Sequence, residues 1–271
     1  REETIARRLP PHYGSLSVAR ADDRDLWRVG IVMPVFGRAA YLERCLASLL
    51  EVDLRGCVLV LVDESLTKVV DKDKHRAHAL VQGFQHPHAS TILIAKSRHG
   101  NMFDSLLAGF DLLTPSCEHL MALDSDTIHR ADLVDASLQT HTLVAADFPG
   151  APIIVSGFNT ANGGRHGIIE TRGSYVLKES VGGCHMAFTA EAYRRHLRCS
   201  LVSHKWDSNI VRALKAAGGT IACTRPSVVD HISSRSSGHR VTALGDEQPD
   251  RAIDFPAGDD ASFNEKPPQT S

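Results

Sequence analysis

No two cysteines in this chain are spaced as Cys-x-x-Cys, although six are present: Cys45, Cys57, Cys117, Cys184, Cys199 and Cys223. In 271 residues so few cysteines, most of them inside apolar runs, do not make a disulfide scaffold. They are expected to be reduced core thiols of a cytoplasmic protein. No apolar run reaches the roughly 18 residues that suggest a membrane span, and no signal peptide is visible. The chain opens at Arg1 rather than Met, so an upstream segment, with any targeting signal it carried, is expected to be missing. Charge of one sign is lacking too. A formal net charge of -2 and a pI near 6.8 leave no basic excess for nucleic acid or an anionic membrane. A local positive site for a phosphorylated ligand is compatible with that balance. No Walker-type Gly-x-x-x-x-Gly-Lys occurs, which argues against a simple phosphate-binding loop protein. No internal repeat is seen.

What is present is alternating strand and helix signal. The length suits one large α/β domain. Residues 1–28 carry mixed charges and Pro10-Pro11 and are expected to be a peripheral extension. Residues 29–240 hold the domain, as a nucleotide-binding half (29–130) and an acceptor-side half (131–240). Residues 241–271 are acidic, poor in aliphatics, and expected to form a flexible tail. Val29-Gly30-Ile31-Val32-Met33-Pro34 predicts a buried strand, and Leu42, Cys45, Leu46 and Leu49 predict a helix over 39–50. Val58 to Asp63 and Thr91 to Ala95 predict further strands, and His119 to Leu123 another. Helical spacing covers Lys72 to Gln85 and Phe103 to Leu113. Short apolar strands separated by helices predict a mostly parallel sheet covered on both faces. Ligands of such sheets bind beyond the carboxyl ends of the strands, where Asp63 and Asp124 fall. In the second half, strands are expected at 153–157, 175–177, 184–188 and 220–223, and helices at 191–196 and 207–217.

Five local features could carry chemistry. Asp124-Ser125-Asp126 follows a buried strand, and its two carboxylates can face one hard cation such as Mg²⁺ or Mn²⁺. A polar turn with a helix cap accounts for the same residues. His231 ends a short apolar stretch; a satisfied core histidine is the plain alternative. Lys205-Trp206-Asp207 places an acid at the head of a helix beside an aromatic platform; the alternative is an N-cap with a core tryptophan. Gly182-Gly183 permits close backbone approach to a ligand, or forms an ordinary turn. Ser97-Arg98-His99-Gly100-Asn101 opens a helix where backbone N–H groups and Arg98 could meet phosphate, or is an ordinary connecting loop.

The order of these features, over about Val29 to His231, resembles the GT-A glycosyltransferase fold, and most closely its family 2. Ile31 to Arg38 resembles the family's first strand and following turn, and Val60-Leu61-Val62-Asp63-Glu64-Ser65 its second. Asp124-Ser125-Asp126 resembles the Asp-x-Asp motif. Gly182-Gly183 and Trp206-Asp207 stand where the family has a glycine-rich loop and a Glu-Asp pair, with Trp in place of the usual Glu. The resemblance implies a GT-A, Rossmann-like α/β fold: a mostly parallel central sheet flanked by helices, with a smaller mixed acceptor-side region. It also implies a metal-dependent glycosyltransferase of the hexosyltransferase class, taking a nucleotide-sugar donor (UDP-sugar favoured) to a hydroxyl of a glycan or similar acceptor, as in polysaccharide biosynthesis. By the same resemblance, Mn²⁺ or Mg²⁺ is held by Asp124, Asp126 and His231. Pro34, Val35, Arg38, Asp63, Arg98, Asp124, Ser125, Gly182, Gly183 and Trp206 bind the nucleotide-sugar, with Asp63 on the base. Asp207 is the catalytic base of an inverting transfer. Trp206 or Phe158 would stack on a sugar ring.

Two rivals share much of this. A sugar-phosphate nucleotidyltransferase would use the same sheet and an Asp-bound Mg²⁺, but its first loop is usually rich in glycine, unlike Pro34-Val35-Phe36-Gly37-Arg38. A non-catalytic GT-A-like module would bind a glycan or a protein without turnover.

Overall fold

The computed structural model describes residues 13–19, 27–67, 70–160, 166–233 and 251–256. The fold is α/β. Its centre is four parallel strands: β2 (Trp27–Val35), β3 (Cys57–Asp63), β4 (Ser90–Lys96) and β5 (Cys117–Leu123). They lie in the order β4-β3-β2-β5. Val29 to Val35 face Cys57 to Asp63 residue by residue, and Val29 to Val32 face His119 to Ala122. Every residue of β3 is buried, as a strand covered on both faces requires.

Helices α1 (Ala39–Leu50), α2 (Lys72–Gly83) and α3 (Met102–Leu113) link these strands and cover the sheet. Leu42, Cys45, Leu46 and Leu49 form the buried stripe of α1. They join Ile31, Met33, Leu59 and Leu61 in one core layer, and α3 packs Leu106, Phe110 and Leu113 into the other. Each such side chain contributes roughly 1.5–3 kcal/mol on burial. Gly109 lets α3 lie close on β2: a Cβ there would come 2.5 Å from Val32 Cγ1. Asp71 caps α2 through Lys74 N, and Asn101 and Asp104 form a reciprocal capping box on α3.

Residues 13–19, expected as part of a peripheral extension, form β1 (Tyr13–Ala19), an antiparallel edge strand on β4. Beyond β5 the sheet continues as β10 (His185–Thr189), β7 (Ile153–Ser156), β11 (Thr220–Thr224), β9 (Tyr175–Lys178) and β8 (Ile168–Arg172). Here β10 runs antiparallel to both β5 and β7, and only β11 with β7 is parallel. Both parts of the chain thus share one sheet, and the part beyond β5 is mixed. A separate ribbon pairs β6 (Thr127–His129) with β12 (Val229–His231).

Helix α4 (Leu133–Asp147) carries only a diluted apolar stripe, because Ser137 and Thr140 share its buried face. The helix expected at 191–196 is instead a short turn, α5 (Ala190–Ala192), followed by a π-turn over Tyr193–Leu197. Tyr193 is drawn into the core there and stacks on Phe188. Helix α6 (Trp206–Ala216) buries Trp206, Ile210, Val211 and Leu214.

Part of the expected tail is docked. Ala252 N donates to Asp230 Oδ1 (2.8 Å), Ile253 N to Asn159 O (2.8 Å) and Ser227 N to Asp254 Oδ1 (3.1 Å). Arg251 pairs with Asp230, whose carboxylate is buried. The rest of the acidic tail lies outside the described residues, as do residues 161–165.

Candidate active site

The chain leaves β5 at Leu123 and turns immediately. Asp124 N donates to Cys184 O (3.1 Å), and Thr127 Oγ1 donates to Asp124 O (2.7 Å). The ribbon then brings the distant histidine home. Thr127 faces His231 across the β6–β12 ladder, and Ile232 N donates to Asp126 O (2.9 Å). His231 Nε2 lies 3.2 Å from Asp126 Oδ2 and 2.8 Å from Ser233 Oγ. Asp126 is fully buried, so its carboxylate requires a counter-charge. Arg38 supplies one, its Nη1 on the same Oδ2 that His231 approaches. Burial pulls the His231 pKa down. The hydrogen bond and charge of Asp126, with the charge of Asp124, outweigh burial and leave it above the ordinary value, Arg38 opposing them.

Arg38 reaches Asp126 from an unusual backbone. Its φ of 56° is the one positive value at a non-glycine among the described residues, and Gly37 before it is also left-handed. This conformation costs an ordinary residue roughly 1–2 kcal/mol. Asp73 of α2 holds it: Oδ2 accepts from Arg38 N (2.6 Å) and Oδ1 from Ala39 N (2.9 Å). The carboxylate therefore caps α1 from a neighbouring helix.

A cavity of about 500 Å³ opens beside this cluster, at the carboxyl ends of β2 and β3 and the start of α3. Pro34, Val35, Arg38, Glu64, Asn101 and Ser125 are among its walls. Its place is that expected for ligands of a parallel sheet. Glu64 is buried and fully answered: Lys96 Nζ donates to Oε1 (2.8 Å), Gly100 N to Oε2 (3.0 Å), and Ser105 Oγ also donates to Oε1. This pair fixes the loop that starts α3. Sequence reasoning missed it, though a lone lysine ending an apolar strand was a signal.

Asp63, at the end of β3, accepts from Ser65 N (2.8 Å) and meets His78 Nδ1 at 2.6 Å. Arg98 is exposed on the loop after β4, so the arginine at the acidic motif is Arg38. Gly182 and Gly183 lead into β10, where His185 lies opposite Leu123, so the glycine loop flanks the Asp-Ser-Asp turn. A Cβ on Gly183 would stand 2.6 Å from Trp206 Cζ2. Trp206, 5% exposed, also turns its indole N–H toward Met102 Sδ (3.1 Å). Phe158 is 2% exposed and sits 6.3 Å from the His231 ring. Both aromatic rings expected to stack on a sugar are therefore spent on internal packing. Trp206 instead ties the head of α6 to the glycine loop and to a cavity wall. Asp207 follows it, half-buried, with Oδ1 accepting Ser208 N (2.6 Å).

Beneath the motif lies a buried polar chain. His129 Nε2 meets Thr127 Oγ1 (2.9 Å) and its Nδ1 meets Ser48 Oγ (3.0 Å). Burial lowers the His129 pKa to about 3. His185 is likewise held to about 3, by burial first and by His129 second, and its Nδ1 accepts from Gly157 N (2.7 Å). These neutral rings support the turn from below.

Among the described residues no three His, Cys, Asp or Glu side chains gather as a metal site. Asp126 and His231 do converge. Mg²⁺ and Mn²⁺ need only one or two protein carboxylates when substrate phosphates and water complete the shell, and imidazole is a competent added ligand. The donor chemistry at Asp126 and His231 fits such an ion.

No protein-family model matches the chain, and no curated protein matches it. Solved structures do match in chain path. One is the crystal structure of S. aureus TarS 1-349, at 10% identity and a TM-score of 0.48, covering 74% of this chain and 59% of that one. The chain thus spans about 59% of the length of that structure.

Proposed function

We propose that this chain is a glycosyltransferase that moves a sugar from a nucleoside diphosphate sugar, UDP-linked by preference, to a hydroxyl of a glycan or similar acceptor. The observation that carries the proposal is the meeting of His231 with Asp126 across the β6–β12 ribbon, beside a cavity of about 500 Å³. That volume lies within the ordinary range of small-molecule sites.

Pro34 and Val35 form a wall for the nucleoside, and Asp63 orients the base from the end of β3. Ser125 and Asp124 face the ribose, while Arg38 and Arg98 serve the diphosphate. Gly182 and Gly183 bring their backbone to the sugar, with the Trp206 ring packed against Gly183. Asp126 and His231 would hold Mn²⁺ or Mg²⁺, with Asp124 meeting the ion through a bound water. The bound ion would neutralise charge on the leaving diphosphate, help typically worth several kcal/mol. Asp207, at the head of α6, takes the proton of the acceptor hydroxyl as that oxygen attacks the anomeric carbon. The carbon–oxygen bond to the diphosphate breaks on the opposite side, and the sugar configuration inverts.

Thermal unfolding with UDP-, GDP-, CMP- and dTDP-sugars, each with and without Mn²⁺, tests the proposal. Binding to the folded state raises the midpoint by mass action. One donor is expected to raise it only when Mn²⁺ is present. If no donor shifts the midpoint under either condition, the proposal fails.

A further inference from the structure

We propose that Arg38 is an internal stand-in cation: it holds Asp126 while no metal is bound and moves to the diphosphate when a divalent ion takes that carboxylate. The inference rests on the metal site put forward above and concerns how that site is loaded.

Three independent features single out Arg38. Its guanidinium is on Asp126 Oδ2, the same oxygen that His231 Nε2 approaches at 3.2 Å. Two cations drawn to one buried carboxylate repel each other, so the guanidinium and a divalent ion compete for it. Its side chain is 23% exposed and forms part of the cavity wall, whereas Asp126 is fully buried. The arginine therefore has somewhere to go and the aspartate has not. Its backbone is left-handed at φ 56°, pinned by both oxygens of Asp73. Strain of this kind persists only where the surroundings impose it, and here the pinned backbone directs the side chain to the motif.

The chemistry supplies the exchange partner. A guanidinium presents paired donors that match phosphate oxygens, with charge-assisted bonds stronger than neutral ones. A diphosphate in the cavity draws Arg38 off Asp126 and uncovers the carboxylate for the metal. Metal and nucleotide are then coupled, and the coupling is reciprocal. Alone, each ion binds weakly, because the metal must break the Arg38–Asp126 pair unaided.

Calorimetric titration of Mn²⁺ tests this on four proteins: the wild type, Arg38→Gln, Arg38→Lys and Asp126→Asn, each with and without saturating UDP. In the wild type UDP is expected to tighten Mn²⁺ binding at least about tenfold. Arg38→Gln is expected to tighten Mn²⁺ alone by a similar factor and to shrink the UDP effect below about threefold. Arg38→Lys, which keeps a positive charge but loses the fork, is expected to fall between. Mn²⁺ binding that depends on Asp126 but is unchanged or weakened in both Arg38 variants overturns the stand-in role and leaves the metal site standing. Mn²⁺ binding that is absent, or insensitive to Asp126→Asn, in every protein removes the metal site itself. A crystal structure with Mn²⁺ and UDP gives the second readout. The guanidinium on the diphosphate supports the exchange; the guanidinium still on Asp126 with Mn²⁺ bound overturns it.

Discussion

Strands β2 to β5 and strands β7 to β11 belong to one sheet, yet they are assembled differently. In the first group each strand is parallel to its neighbours within the group, largely apolar, and joined to the next by a helix. In the second group β10 runs against both neighbours, and β11 sits between a parallel and an antiparallel partner. The first region is specified by local pattern, the second by long-range pairing. The candidate site lies on the seam. Asp124, Ser125 and Asp126 issue from the first region, and His231 reaches them from 105 residues away. The site is thus placed by the regularly paired half and completed by the half with the less regular code.

The largest effect expected at this seam comes from Asp126→Asn. It removes the charge shared by Arg38 and His231 and is expected to abolish metal-dependent transfer, while circular dichroism still shows a folded chain. Transfer at the wild-type rate would detach the seam from the chemistry. Asp207→Asn comes next, a drop in kcat on the order of 10²–10⁴ with donor binding retained, as loss of a general base implies. Unchanged kcat would move the base elsewhere. Gly183→Ala asks whether the second region also positions the site. The new Cβ would sit 2.6 Å from Trp206, and overpacking of this sort costs roughly 1–3 kcal/mol. Denaturant titration should show that loss, and the donor KM should rise, because the glycine loop and the wall at Met102 share Trp206.

The same contrast explains what could be read before the structure. The helix expected over 39–50 is found at Ala39–Leu50, since its apolar spacing and the strand before it are local signals. The ribbon β6–β12 was not legible. Each strand is three residues long, and only their pairing makes them strands. Helix α4 escaped because Ser137 and Thr140 interrupt its apolar face, and β8 because Ile168 and Ile169 are exposed on a sheet edge. At the site, Asp126 and His231 were named from a resemblance, and the ladder between them supplies the physical reason they meet. The contact of Arg38 with Asp126 had no signature. It depends on a left-handed arginine held by Asp73, and nothing in local sequence marks a non-glycine residue for that conformation. Trp206 and Phe158 have the character of stacking platforms in the sequence alone; their burial comes from packing with α6 and β12, which is non-local.

A smaller effect probes the floor beneath the seam. His129 and His185 are held neutral by burial, each at about 3, against about 6.5 in an unfolded chain. Between those values the unfolded state carries the proton and the folded state does not. Their contribution is therefore fully present above about pH 6.5 and is lost as pH falls toward 3. Each ring adds up to about 1.4 kcal/mol per pH unit to that slope. Stability measured by urea at pH 7, 6, 5 and 4 should fall in the wild type. The fall should be shallower by about one proton in His129→Gln, whatever the variant's stability at pH 7. Carboxylates contribute equally to both proteins, so the difference in slope isolates the ring. Parallel curves would mean that His129 takes up its proton in the folded state. The Ser48–His129–Thr127 chain would then be a charged prop beneath Asp124 rather than a neutral one.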